Sequence, residues 1–139
     1  MNYEHKKRRY ISSPEEWEEF TLKEFATIID CCKIDANGEP LDIHYTGDRL
    51  FIYYSGTTFM LRTQIAFKNL IIAGFSPLNQ DALFIEKFIS AIYFYGKENN
   101  YSNLQIENCD DNLKYLMINL GFKPMDKEIR CLQKNLLYF

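Results

Sequence analysis

The stretch PLNQDALFI, residues 77–85, lies between an apolar run, Leu70 to Phe75, and a segment with helical apolar spacing. A strand-turn-helix junction of this kind is a place to hold a phosphate, because free backbone N–H groups and the positive end of the helix dipole converge on an anion. Gln80, Asp81, Ala82, Leu83, Phe84 and Ile85 are therefore the candidate anion contacts. Close approach of a backbone to phosphate favours glycine, and none occurs between Gly74 and Gly96. Proton transfer has two carboxylate candidates, Glu107 at the end of a short strand and Asp42, either of which can take a proton from an amine through water. Each also reads as an ordinary strand carboxylate facing solvent. Only two histidines exist, His5 and His44, so no Ser-His-Asp or Cys-His relay can be assembled. Cys31, Cys32, Cys109 and Cys131 show no C-x-x-C spacing, and no metal set is expected. Neighbouring thiols on a helix point different ways, so the cysteines read as reduced, mostly buried thiols of a cytoplasmic protein.

These groups need a scaffold, and 139 residues supply one domain with one core, expected over 13–139 behind a basic tail at 1–12. No run reaches the ~20 apolar residues of a membrane span, and no apolar leader opens the chain. The net charge of −3 argues against general affinity for nucleic acid. The exception is His5 to Arg9 (HKKRR), flanked by Tyr3 and Tyr10, which offers phosphate contacts with rings beside them. Eleven Phe and ten Tyr predict a thick aromatic core. Tyr93, Tyr95 and Tyr101 are candidates for a protein contact site, with core packing as the plainer role for Tyr93 and Tyr95. Heavy use of Asn, Lys, Ile and Tyr points toward a low-GC bacterium or its phage.

Ser13, Pro14 and Glu16 form a capping-box start, and Trp17, Phe20, Phe25, Ile28, Ile29 and Cys32 continue a single helical period. Residues 41–45 alternate as a half-buried strand does, and short glycine turns then separate "RLFIYY" and "TFMLRTQIAF" as antiparallel neighbours. "NLIIAGF" reads as the end of that third strand or as a fourth. A helix from about Gln80 to Glu98, a short strand LQIE, a helix capped by Asp110 or Asp111 and ending at Gly121, and a final strand or two complete the order. This is an α/β (α+β) domain built on a mixed, mainly antiparallel sheet, with helices expected on both sides.

That order, with YSNLQIENCDDNLKYLMINLGFKPM near its end, resembles the GNAT superfamily of N-acetyltransferases. Leu116, Gly121 and Phe122 fall in register with the family's Asn-x-x-Ala-x-x-Leu-Tyr-x-x-x-Gly-Phe helix, and LQKNL (132–136) resembles its last strand. Phe75-x-Pro77-x-x-Gln80-x-x-Leu83-x-Ile85 stands where the family's acetyl-CoA signature, hydrophobic-x-Pro-x-x-Arg/Gln-x-x-Gly-x-Gly/Ala, would stand. The resemblance covers roughly Leu41 to the C-terminus. It implies acetyl-CoA seated by residues 80–85, and a splay between two central parallel strands that holds the pantetheine arm.

The departures decide the expected function. Leu83 and Ile85 put branched side chains where the family's small residues let the pyrophosphate approach. The family's general acid, a Tyr four residues before the Gly, is Met117 here, which has no proton to give. Tyr115 is the nearest hydroxyl, about 200° around the helix. The resemblance therefore implies a catalytically degenerate, GNAT-like partner-binding or regulatory module with no cofactor. A protein partner is favoured, with nucleic acid through His5–Arg9 second. The alternative is an active N-acyltransferase that uses acetyl-CoA through a relaxed loop. A third reading is an unrelated α/β adaptor.

Overall fold

The structure, a computed structural model, describes residues 13–125 and 128–136, with backbone alone for 128–130. The Ser13 hydroxyl accepts the Glu16 N–H at 3.1 Å and starts helix α1, Pro14–Glu24. The apolar period suggested one continuous helix, but the chain breaks at Phe25 (φ −107°, ψ 25°) and resumes as α2, Ala26–Ala36. The break sends the Phe25 ring wholly into the core, 5.0 Å from Tyr45 and 5.1 Å from Tyr95. Asn37, in the left-handed region, ends α2.

Strands β1 (Asp42–Thr46), β2 (Arg49–Tyr54) and β3 (Thr57–Gln64) then form two tight hairpins. The second turn uses Ser55 and Gly56, both at positive φ, the backbone that matches strand twist in a two-residue loop. A short 3₁₀ turn at Ile65–Phe67, closed by Lys68 at φ 51°, separates β3 from β4, Asn69–Ser76. The apolar run at 69–75 is thus a strand of its own. Helix α3 (Ala82–Glu98), β5 (Asn103–Ile106), α4 (Asp111–Asn119), β6 (Lys123–Met125) and β7 (Glu128–Asn135) follow.

The sheet order is β1-β2-β3-β4-β5-β7-β6, with β4–β5 its parallel pair. The class is the expected α+β one, a mixed and mainly antiparallel sheet flanked by helices. The described helices gather on one side of it. Leu50, Ile52, Leu61, Ile72, Leu104 and Ile106 point to one face and are almost fully buried. Side chains from every described helix join them in a single core, Ile28 and Ile29 from α2, Phe88 and Ile92 from α3, Leu113 and Met117 from α4. The opposite face carries Arg49, Phe51, Arg62, Gln64, Asn69 and Asn103, none of them fully buried. Among the described residues no helix covers it. The strands other than β4 alternate apolar with polar, so the described helices gather on the apolar side; on the other face Ile71, opposite Arg62, is buried as well.

Candidate functional site

The β4–α3 junction holds the six residues singled out for an anion, and it is closed by its own side chains. The Leu78 N–H is held by Thr57 Oγ1 at 2.9 Å, which ties the loop to the start of β3. Asn79 Oδ1 accepts the Asp81 N–H at 2.9 Å, and Gln80 Nε2 donates back to the Pro77 carbonyl at 2.6 Å. Asp81 is the N-cap of α3, and its carboxylate accepts the Leu83 N–H at 3.3 Å. Its carbonyl accepts the Ile85 N–H at 3.1 Å. The donors of residues 81 and 83, which an anion would need, are thus already engaged. A carboxylate occupies the positive end of the helix dipole in place of an external anion.

The six side chains part company from there. Gln80, Asp81 and Ala82 are exposed, Phe84 stacks on Phe88 at 5.8 Å, and Ile85 turns into the core. Leu83 stays 58% exposed. Between α2 and the start of α3 runs a cleft of about 370 Å³, lined by Cys31, Ile34, Asp35, Leu83, Phe84 and Lys87, among others. Ile34 at its rim is 81% exposed, and Leu78 in the same loop is 70% exposed.

The loop is fastened to α2 by a group that the sequence gives no signal for. Asp35 accepts Asn79 Nδ2 at 2.8 Å with one carboxylate oxygen and the Tyr54 hydroxyl at 2.7 Å with the other. The three residues come from a helix, a strand and a loop, with no local spacing to betray them. Beside them, burial pushes the Cys32 thiol up to about 12 against an opposing hydrogen bond from Tyr54. Burial, then Asp30, also raises Cys31. Neither thiol is an ionised nucleophile at neutral pH.

The second candidate region is where the parallel strands separate. Strands β4 and β5 pair over 69–72 and 103–106, and the Glu107 N–H gives a last bond to the Ile72 carbonyl at 2.9 Å. In the β3–β4 register Leu61 faces Ile72 while Met60 faces Gly74, so Ala73 is an extra, bulged residue. Beyond the bulge β4 stays with β3 while β5 ends, and the two strands diverge. Glu107 stands at this parting, but its carboxylate is 3.4 Å from the Arg62 guanidinium, which reaches across β4 from β3. It is an ion-paired carboxylate before any substrate arrives.

The other proton-transfer candidates lie elsewhere. Tyr115 is 73% exposed on the outer side of α4, whereas Met117 is buried. Asp42 is at the edge strand, 2.7 Å from His44 Nε2, and both side chains are exposed. Asp110 caps α4 through the Leu113 N–H at 2.8 Å, as its position suggested. Burial and then Asp110 push the neighbouring Cys109 up to about 11. Tyr95 is buried and bonded to Glu24 at 2.9 Å, so it is a core residue and not a contact ring. The basic run His5–Arg9 lies outside the described residues. No helix among the described residues is long and apolar enough to cross a membrane.

Compared with known proteins, the chain matches no protein-family model, no curated protein and no solved structure.

Proposed function

We propose that this chain is a GNAT-like domain that has given up acetyl transfer and works by binding a partner at the β4–α3 junction. The carrying observation is the internal closure of that junction. Asn79 and Asp81 take the N–H groups of residues 81 and 83, so a pyrophosphate would have to displace a fixed carboxylate of its own sign. Two further observations support the reading. The position of the general acid holds a buried thioether, Met117, and the one hydroxyl on the same helix, Tyr115, turns to solvent. Exposed Leu83, Ile34 and Leu78 surround the same junction, the kind of apolar side chains that a protein partner covers.

The test is thermal unfolding with and without about 1 mM acetyl-CoA or CoA. The expected result is no shift. A ligand at a hundred times its dissociation constant would add about 2.7 kcal/mol, a rise on the order of 5–10 °C for a chain of this size. Such a rise, followed by acyl transfer to an amine, would favour the alternative, an active N-acyltransferase. What speaks for that alternative is the parting of β4 and β5 after Ile72 and Ile106, an opening of the kind that would seat a pantetheine arm.

A further inference from the structure

We propose that the chain's own basic segment, His5 to Ile11, packs as an added strand along the open edge of β1, in the groove between that edge and α1. Strand β1 ends the sheet order, so one of its sides meets no neighbouring strand among the described residues. Thr46 and Arg49 pair across a two-residue turn, and the alternation from there turns the backbone groups of Ile43 and Tyr45 outward. Trp17 marks the same direction, since its indole N–H bonds to the Tyr45 carbonyl. Among the described residues nothing takes the outward N–H and C=O of Ile43. An edge with open backbone groups is a template for one more strand.

The groove beside that edge has the complementary chemistry. It measures about 540 Å³ and is lined by Trp17, Glu18 and Leu22 of α1 and by Asp42, Ile43 and His44 of β1, among others. Leu22 is 43% exposed there. Carboxylates stand on both walls, Glu18 on the helix and Asp42 on the strand, and the one base, His44, is already 2.7 Å from Asp42. The helix itself carries a surplus of negative charge. Glu15 lies one turn from both Glu18 and Glu19, and such pairs repel. Among the described residues the Lys23 ion pair, at 3.1 Å, answers Glu19 alone.

The position and pattern of the segment answer these features. Ser12 and Ser13 join it to Pro14, which lines the groove, so the tether holds it there at an effective concentration on the order of millimolar. Seven extended residues span about 23 Å, more than the roughly 17 Å of β1. In a strand Lys6 and Arg8 would point to one side and Lys7 and Arg9 to the other, so that one pair meets Glu18 and the other Asp42. Tyr10 and Ile11 bring apolar surface to a groove that exposes Leu22. With the segment in place, the β1 edge is closed to pairing with a second copy of the chain.

The test is amide hydrogen exchange followed by NMR on the full chain. The Ile43 amide should exchange at least about 100-fold more slowly than an open strand edge allows. Reversing the charge of the segment (Lys6→Glu/Lys7→Glu/Arg8→Glu/Arg9→Glu) should remove at least about tenfold of that protection, while Ile52 on β2 keeps its own. Adding Glu18→Lys/Asp42→Lys to the reversed segment should restore it, which loss of a merely structural role would not do. An Ile43 amide that exchanges freely in the wild-type chain overturns the proposal. So does protection that charge reversal leaves intact, or that the swapped charges fail to restore. Protection that grows with protein concentration also overturns it, being the mark of β1 paired with β1 of a second copy. The result is independent of the acetyl-CoA experiment, because the groove and the β4–α3 junction share no residue.

Discussion

Asp81 illustrates how one side chain decides between two uses of a helix start. As an N-cap it satisfies the Leu83 N–H and stabilises α3, a contribution of about 1 kcal/mol for such caps. As an anion at the dipole it fills the place a phosphate would take. The thiols show the same dependence on surroundings. Cys32, held near 12, and Cys109, near 11, lie above the ordinary 9.0 because burial penalises the thiolate. Tyr54 is raised as well, by burial and by Asp35. Each of these groups holds its proton more tightly when folded. For the two thiols that stabilisation is complete below about pH 9 and is lost as pH climbs through the folded values of 11 to 12. Lys134, lowered by burial, acts in the opposite sense below its ordinary 10.5, one group against four once Cys31 is counted. The melting temperature should stay level from about pH 6 to 8.5 and fall above pH 9, and Cys109→Ala should soften that fall. A flat profile to pH 11 would refute the assignment. Capping residues such as Ser13 and Asp110 were legible because a cap acts within three residues. The Asp35–Asn79 and Arg62–Glu107 contacts were not, since their partners lie 44 and 45 residues apart.

Element boundaries followed the strength of their local chemistry. The glycine turns after β1 and β2 were readable, because Gly47 and Gly56 take positive φ that other residues resist. The turn before β4 was hidden, since Lys68 occupies the left-handed region without a glycine or proline to mark it. The break at Phe25 was hidden for another reason. The apolar spacing runs through it unbroken, and only the demand of the core for that ring stops the helix. Gly96, late in α3, has a packing role that sequence could not reveal. A Cβ there would sit 2.8 Å from Leu136 Cδ1 and 3.0 Å from Leu70 Cδ1. Both leucines are almost fully buried, so neither can move freely. Alanine is normally the better helix former by about 1 kcal/mol. Here Gly96→Ala should instead destabilise by about 1–3 kcal/mol through overpacking. Denaturant unfolding should show a lower midpoint with an unchanged slope. A midpoint that rises would mean that the two leucines repack at no cost.

At the scale of the whole molecule, one core joins the two ends of the sheet. It runs from Trp17 and Tyr45 beside β1 to Leu132 on β7, with Leu61, Ile72 and Ile106 between. Alternation in a strand shows that one face is polar without showing what that face meets, so the side on which each described helix packs was not legible in the sequence. A continuous core also means that damage at one end is felt at the other. Trp17 is the only tryptophan, stacked 5.4 Å from Tyr45 and 5.4 Å from Phe20, so its fluorescence reports on the β1 end alone. Leu132 lies at the far end of the sheet and is fully buried. Leu132→Ala should cost about 2–5 kcal/mol by lost burial and the cavity left behind, lowering the melting temperature on the order of 10 °C. If the chain is one cooperative unit, Trp17 fluorescence and far-ultraviolet dichroism must fall together at the lowered temperature. A Trp17 transition that stays at the wild-type temperature while the dichroism splits would show that the β1–β4 end folds without β5 to β7. The shared core would then be an interface between two units.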